Sequence, residues 1–383
     1  MTRALPALLA LSLVAMACPG AQRRTTRFDH RRGAGAPTPT STSTSTGTEP
    51  GTPPAPPLIV RREERVVELE VKGAPVRLNA TATWPTLDDE VIEGPVFLLV
   101  PGAGDVSRRG LRRGDGVNAY ASPVAVTSTW QDLLGASGAS SLAWDKRTCG
   151  PNDDAECAKN PQDDLDAQGP VALAADVDAA CVVARTLPGF DGRLVLMAHG
   201  QGAQVALAST CAKEAAAVVL INPIPREIDA VLVDALLARH TTKQAEAKAA
   251  KTPEDKTRLT DEAVALRNLA ATRQAGFASM RSGKFSREAR VDGATIAFWL
   301  GWMELTGKTR DLMAPVKDKT VVVIGNGDAQ LGDGDRALAR GLPAKKTLVV
   351  DADHHLLVAG DLQPAVGLEV IDAVVALLQP SAS

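Results

Sequence analysis

Short, unbroken apolar runs at intervals along the chain constrain its fold more than any other feature. Val96-Phe97-Leu98-Leu99-Val100 is the clearest, and it stops abruptly at Pro101-Gly102-Ala103-Gly104. A strand with one wet face alternates polar and apolar residues, whereas an unbroken run suits a strand buried on both faces of a parallel sheet. Ala139–Trp144, Leu194–Met197, Val218–Ile221, Thr320–Ile324 and Thr347–Val350 read as further strands, with helical sequence over Val171–Leu187 and Ala203–Lys213 between them. Strands alternating with helices predict an α/β fold whose central sheet is mostly parallel, with right-handed crossovers, helices on both faces and ligands at the carboxyl ends of the strands. Ahead of these lie Arg61–Val71 and Val76–Trp84, whose period of two predicts an antiparallel opening pair.

Between Pro225 and Thr309 the rhythm gives way to long, Ala-rich, charged helical sequence. Thr252-Pro253-Glu254-Asp255 supplies an N-cap, a proline at the first helical position and acids in the first turn. The segment 225–309 is therefore expected to be a helical cap insertion, either a lid over the strand ends or a helical pair covering the sheet edge. Phe298-Trp299-Leu300-Gly301-Trp302-Met303 is expected to be an apolar helix face packed into the core.

The first 57 residues read differently. Arg3 and the apolar run Ala4–Ala17 have the form of an export signal, too short to span a bilayer permanently. Residues 1–18 end in Ala15-Met16-Ala17-Cys18, small residues ahead of a cysteine, which resembles the lipobox of bacterial lipoproteins, in which that thiol is lipidated. Ala15 stands where a lipobox usually has leucine, and cleavage at an Ala-x-Ala site to release a soluble secreted or periplasmic protein is the alternative. Residues 19–57, rich in Thr, Ser, Pro and Gly, have no apolar periodicity and are expected to be a disordered tether between a membrane and the folded domain, 58–383.

Composition excludes several classes of function. The net charge of -3 provides no global basic field, and an aromatic content of 3% leaves little from which to build a base-stacking platform, so nucleic acid is not an expected partner. No Cys-x-x-Cys pair suggests structural zinc, and the acidic stretch Asn326–Asp335 lacks the spacing and terminal glutamate of a calcium loop. No metal or cofactor is expected.

Four segments, completed by a fifth, resemble the α/β-hydrolase superfamily, in particular bacterial esterases and lysophospholipases of the serine-aminopeptidase type. Val100-Pro101-Gly102-Ala103-Gly104 is similar to the strand-end His-Gly-x-Gly loop, with proline in the histidine position, and Trp144-Asp145-Lys146-Arg147 to the Asp-x-Arg-Gly element. Ala198-His199-Gly200-Gln201-Gly202-Ala203 resembles the nucleophile elbow, Ile324-Gly325-Asn326-Gly327-Asp328 the turn carrying the acid, and Asp353-His354-His355-Leu356 the histidine segment. The resemblance implies Asp328 as the acid, His355 as the base with His354 as the alternative, and backbone oxyanion donors at Ala103 and Gln201.

At the elbow the residue that should carry the nucleophile is Gly200, and no serine, threonine or cysteine occupies 198–203. Acyl transfer through the usual triad needs a hydroxyl or thiol there, and glycine has none. The sequence thus implies an exported α/β-hydrolase-fold protein that has lost serine chemistry and keeps a cleft for an unidentified small-molecule or protein ligand. A hydrolase using another nucleophile, such as a water activated by His355 and Asp328, is the alternative. In an oxidising compartment, Cys149 and Cys157 are expected to bridge their polar loop, while Cys181 and Cys211, on apolar helix faces, are expected to be free and buried, with a second bridge as the alternative.

Overall fold

The computed structural model describes residues 58–71, 74–104, 106–112, 124–149, 169–291 and 293–379. Residues 1–57, with Cys18, and Cys157 lie outside the described residues, and so do the expectations of a signal segment, a tether and a Cys149–Cys157 bridge.

The chain opens with β1 (Ile59–Val71) and β2 (Ala74–Leu87), paired antiparallel with Val67 opposite Leu78, and the short β3 (Glu90–Val91) pairs with β2. Then follow β4 (Gly94–Val100), the small ribbon of β5 (Leu111–Arg112) and β6 (Val124–Ala125), α1 (Val126–Ala136), β7 (Ser140–Trp144), α2 (Pro170–Ala184), β8 (Phe190–His199), α3 (Gln201–Ala208), α4 (Cys211–Glu214) and β9 (Ala217–Ile221). Next come α5 (Ile228–Ala249), α6 (Pro253–Arg281), the ribbon of β10 (Arg290–Val291) and β11 (Ala294–Thr295), α7 (Ile296–Gly307) and α8 (Thr309–Met313). The chain closes with β12 (Thr320–Gly325), α9 (Asp333–Arg340), β13 (Lys346–Val350) and α10 (Pro364–Leu378).

The main sheet runs β1-β2-β7-β4-β8-β9-β12-β13; β2 meets β7 antiparallel and every pairing from β7 to β13 is parallel. The mostly parallel sheet of the α/β-hydrolase fold is therefore present. Its unbroken apolar strands serve two cores at once. Val96, Leu98 and Val100 of β4 and Leu194, Leu196 and Ala198 of β8 pack on one face with α2 and α3. Phe97 and Leu99 of β4 and Val195 and Met197 of β8 pack on the other with α1 and α10. A period of two seen from both sides erases the polar positions.

After β4 the chain crosses to β7 on one side and then returns to place β8 on the other. The loops leaving β4 and β8 thus diverge at their carboxyl ends, a topological switch point and the place where open α/β sheets hold ligands.

The segment between β9 and β12 carries helices α5 to α8 and the β10–β11 ribbon. Thr252 caps α6 by accepting a hydrogen bond from Asp255 N. Helices α5 and α6 pair as a hairpin, with Val233 and Leu236 facing Ala270, Phe277 and Met280 over Trp299 and Met303 of α7. Trp302, on the same helix, enters the core of the main sheet instead, so α7 joins insertion to sheet.

The cysteines depart from expectation. Cys181 of α2 and Cys211 at the start of α4 form a disulfide across 30 residues. They are buried, as their apolar faces require, but those faces meet. Closing a loop of that length stabilises by about 3.6 kcal/mol in the chain-entropy account. Among the described residues no helix is long and apolar enough to cross a membrane.

Candidate functional site

The elbow forms where β8 ends and α3 begins. Gly200 has φ 54° and ψ -123° and is the N-cap of α3, and its N–H donates to Ile221 O at 2.8 Å. A positive φ of this kind costs an L-residue roughly 1–3 kcal/mol, which glycine avoids. Gly202 meets a different demand: a Cβ there would lie 2.4 Å from the carbonyl oxygen of Pro101, so its bareness lets α3 press against the loop leaving β4.

A Cβ placed on Gly200 lies 3.5 Å from His354 Nε2 and 3.8 Å from His354 Cε1, with nothing else beyond its chain neighbours within 4 Å. His354 Nδ1 is 2.7 Å from Asp328 Oδ2, and both residues are buried. A carboxylate there makes Nδ1–H the donor and turns Nε2 toward Gly200. Of the doublet, His354, the alternative of the sequence reading, is the one that meets Asp328 and faces Gly200, whereas the first choice, His355, has no atom within 4 Å of that Cβ. His355 instead lines a cavity of about 60 Å³ with Val106, Trp130, Met197, His199 and Ile221. The register is set by Asp353, whose Oδ1 accepts from His355 N at 2.8 Å and Leu357 N at 2.9 Å, while the chain reverses through Leu356 at φ 60°.

Asp328 follows β12 and is fully buried. Burial alone opposes its charge, but the positive field of His354, the hydrogen bond to that ring and the N–H groups of Gln330 and Leu331, 2.7 and 3.1 Å from Oδ1, outweigh it. Its pKa lies below the ordinary aspartate value. The acid is thus held as a carboxylate aimed at His354.

Two residues without an assigned role in the sequence hold the histidine from behind. Asn222, just after β9, donates from Nδ2 to His354 O at 2.8 Å and accepts at Oδ1 from Gly325 N at 2.8 Å. His199 Nε2 reaches the same carbonyl at 2.8 Å, which makes it the donor. His199 therefore packs against His354 and positions it. Asn222 was discoverable as an amide at a strand's carboxyl end, where this fold places its functional groups.

The segment Trp144–Arg147 braces the loop that carries Ala103. Lys146 Nζ donates to Gly102 O at 3.0 Å and Gly104 O at 2.9 Å, drawing both carbonyls to one side. Asp145 accepts from Arg108 N at 2.6 Å and Arg108 Nη1 at 2.7 Å, fixing the chain beyond the loop. Burial raises the Asp145 pKa, against the pull of Arg108. Ala103 lies in the loop after β4, and Gln201 is the first residue of α3, whose N–H has no intrahelical acceptor. Loop and helix start face each other through the Gly202–Pro101 contact. Among the described residues no group of histidine, cysteine and carboxylate side chains is placed to hold a metal ion.

Among the described residues the arrangement brings together a histidine oriented by a buried carboxylate, a helix N-terminus and a glycine, without a side chain, facing the ring. A sequence search of curated proteins returns no match. Among solved structures, the peroxisomal α/β-hydrolase Lpx1 of Saccharomyces cerevisiae is similar at 12% identity and a TM-score of 0.43, covering 85% of this chain and 92% of that one. A thermophilic esterase from Thermogutta terrifontis is similar at 13% identity and a TM-score of 0.44, covering 83% of this chain and 100% of that one. An esterase from Exiguobacterium antarcticum is similar at 11% identity and a TM-score of 0.40, covering 79% and 96%. The model of the alpha/beta hydrolase family matches residues 96–366, well over half of the sequence, and the chain belongs to that family.

Proposed function

We propose that this protein is an exported, lipid-anchored member of its family that binds a small-molecule or protein ligand in the cleft above Gly200 and performs no serine-dependent hydrolysis. The observation that carries this reading is the glycine itself, in the φ and ψ of the elbow and facing an otherwise assembled His354–Asp328 pair. No side chain there can form an acyl adduct. A second reading has its own support: the open Nε2 of His354 and the room left by Gly200 suit a water molecule activated as a nucleophile.

The test is direct. The wild-type full-length protein is expected neither to react with a fluorophosphonate probe nor to hydrolyse p-nitrophenyl butyrate above the rate of a His354→Ala variant. Phosphonate labelling of wild type refutes the proposal, while His354-dependent hydrolysis without labelling establishes the water route instead. The anchor is tested separately. Wild type is expected in the membrane fraction and Cys18→Ala in the soluble or uncleaved pool, because a lipidated cysteine followed by a tether is the attachment. Wild-type protein found wholly soluble would remove the lipid anchor from the proposal.

A further inference from the structure

The two edges of the main sheet are protected unequally. At one edge β1 exposes the charged run Arg61-Arg62-Glu63-Glu64, side chains of the kind that keep an edge from pairing with another chain. At the other edge β13 pairs only with β12 among the described strands, and an edge strand leaves alternate N–H and C=O groups on its outer side without a ladder partner. The two faces of β13 differ as well. Leu348 and Val350 are buried in the core beneath α10, Leu348 in line with Val323 of β12. Thr347 and Val349 point the other way, in line with Val322 and Ile324. On that side α9 packs over β12 through Ala339 and Leu342 and leaves β13 open, so that Val349 is 48% exposed.

The sequence of this edge is self-complementary. In Lys345-Lys346-Thr347-Leu348-Val349-Val350-Asp351 a cation directly precedes the strand, an anion directly follows it, and Leu348 lies midway. Thr347 and Val349 share the open face, and Lys345 and Asp351, next in the same alternation, are exposed as well. Among the described residues neither Lys345 nor Asp351 has an ion-pair partner. We infer that β13 pairs antiparallel with β13 of a second copy of this chain, about a two-fold axis through Leu348, so that one sheet runs through both copies. In that register Lys345 of each copy lies opposite Asp351 of the other, and Thr347 opposite Val349. Each end of the seam then carries an opposite-charge pair, and each exposed valine gains a β-branched neighbour. Parallel pairing in register sets Lys345 beside Lys345 and Asp351 beside Asp351, which is destabilising. An axis through Thr347 sets Lys345 opposite Val349, and one through Val349 sets Asp351 opposite Thr347. The charges that guard this edge against other arrangements therefore admit the antiparallel copy centred on Leu348.

The experiment is sedimentation velocity of the full-length protein in detergent, from about 1 to about 100 μM protein at about 50 mM salt, where surface charge is least screened. The expected result is a reversible monomer–dimer equilibrium within that range, because a seam of five residues per copy is smaller than a standard stable interface. Val349→Lys, which puts a charge in the middle of the seam, is expected to leave monomer at every concentration. Lys345→Glu and Asp351→Lys each set like charges opposite one another at both ends, and each is expected to weaken dimerisation at least about tenfold. Lys345→Glu/Asp351→Lys, in which the pairs are reversed, is expected to return to within about threefold of wild type, and so is an equal mixture of the two single variants, which can pair only with each other. All three positions are exposed, and the wild-type measurement stands whether or not a variant folds. Wild type that stays monomeric at about 100 μM overturns the inference and leaves the edge to a strand of some other chain. A dimer indifferent to Val349→Lys, or a reversed double variant no better than the single ones, overturns it too, since the copies would then be joined through another surface or in another register.

Discussion

Gly200→Ser is expected to acquire reactivity that wild type lacks: labelling by a fluorophosphonate probe and measurable hydrolysis of p-nitrophenyl butyrate. The geometry supplies the reason. A Cβ at 200 lies 3.5 Å from His354 Nε2, so a hydroxyl one bond further on comes within hydrogen-bond reach of that nitrogen. Asp328 holds the ring from the other side at 2.7 Å, and Asn222 and His199 fix its backbone carbonyl. A general base so placed is worth about 10²- to 10⁴-fold, and the variant should exceed the wild-type background by at least about a hundredfold. The gain should collapse in Gly200→Ser/His354→Gln and survive in Gly200→Ser/His355→Gln, because His354, and not His355, comes within 4 Å of a Cβ at 200. Serine at φ 54° costs roughly 1–3 kcal/mol, so a urea melt of each variant comes first. A folded but unreactive Gly200→Ser would mean that the oxyanion donors have drifted and that orientation of His354 alone is insufficient.

How far the sequence disclosed this site can be judged residue by residue. Strands buried on both faces announce themselves as unbroken apolar runs, so β4, β8, β9 and β12 were legible, and their carboxyl ends located the loops at 101–104, 200 and 325–328. The histidine was legible only to within one position. Which member of a His-His doublet faces the elbow depends on the turn closed by Asp353 and on Leu356 at φ 60°, and neither leaves a local pattern in the sequence. Asn222 was missed because an Asn-Pro pair after a strand reads first as a turn. Cys181 and Cys211 were expected to be free because each, taken alone, sits on an apolar helix face; that the two faces meet is a tertiary fact. The long-range braces from Trp144–Arg147 were likewise invisible beyond the motif's resemblance, since their partners lie elsewhere in the chain.

Those braces give the second large effect. Arg147→Met is expected to destabilise the protein by about 3–5 kcal/mol at neutral pH, the usual result of leaving one member of a buried ion pair without the other. Asp176 has a side chain 1% exposed, and Arg147 contacts it through Nε at 2.8 Å to both oxygens and through Nη2 at 2.6 Å, with a further bond from Nη2 to Ala172 O at 3.0 Å. Burial already raises the Asp176 pKa above its ordinary value, opposed by the hydrogen bond and charge of Arg147 and by the charge of Lys146. Removing the guanidinium removes most of that opposition and moves the carboxyl further up. A carboxyl whose folded pKa lies above its unfolded value weakens the fold as pH rises through the folded pKa and ceases to do so below the unfolded value. The deficit of Arg147→Met, read from urea unfolding, should therefore shrink steadily as pH is lowered from 7 toward the unfolded aspartate value of 3.8. Arg147→Met/Asp176→Leu, which removes both charges, should recover most of the loss at pH 7, since a packed apolar pair is nearly neutral in place of a buried ion pair. A single variant within about 1 kcal/mol of wild type, or a double variant no better than the single, would show that solvent reaches Asp176 and that the pair does not anchor α2 to the loop beside Lys146.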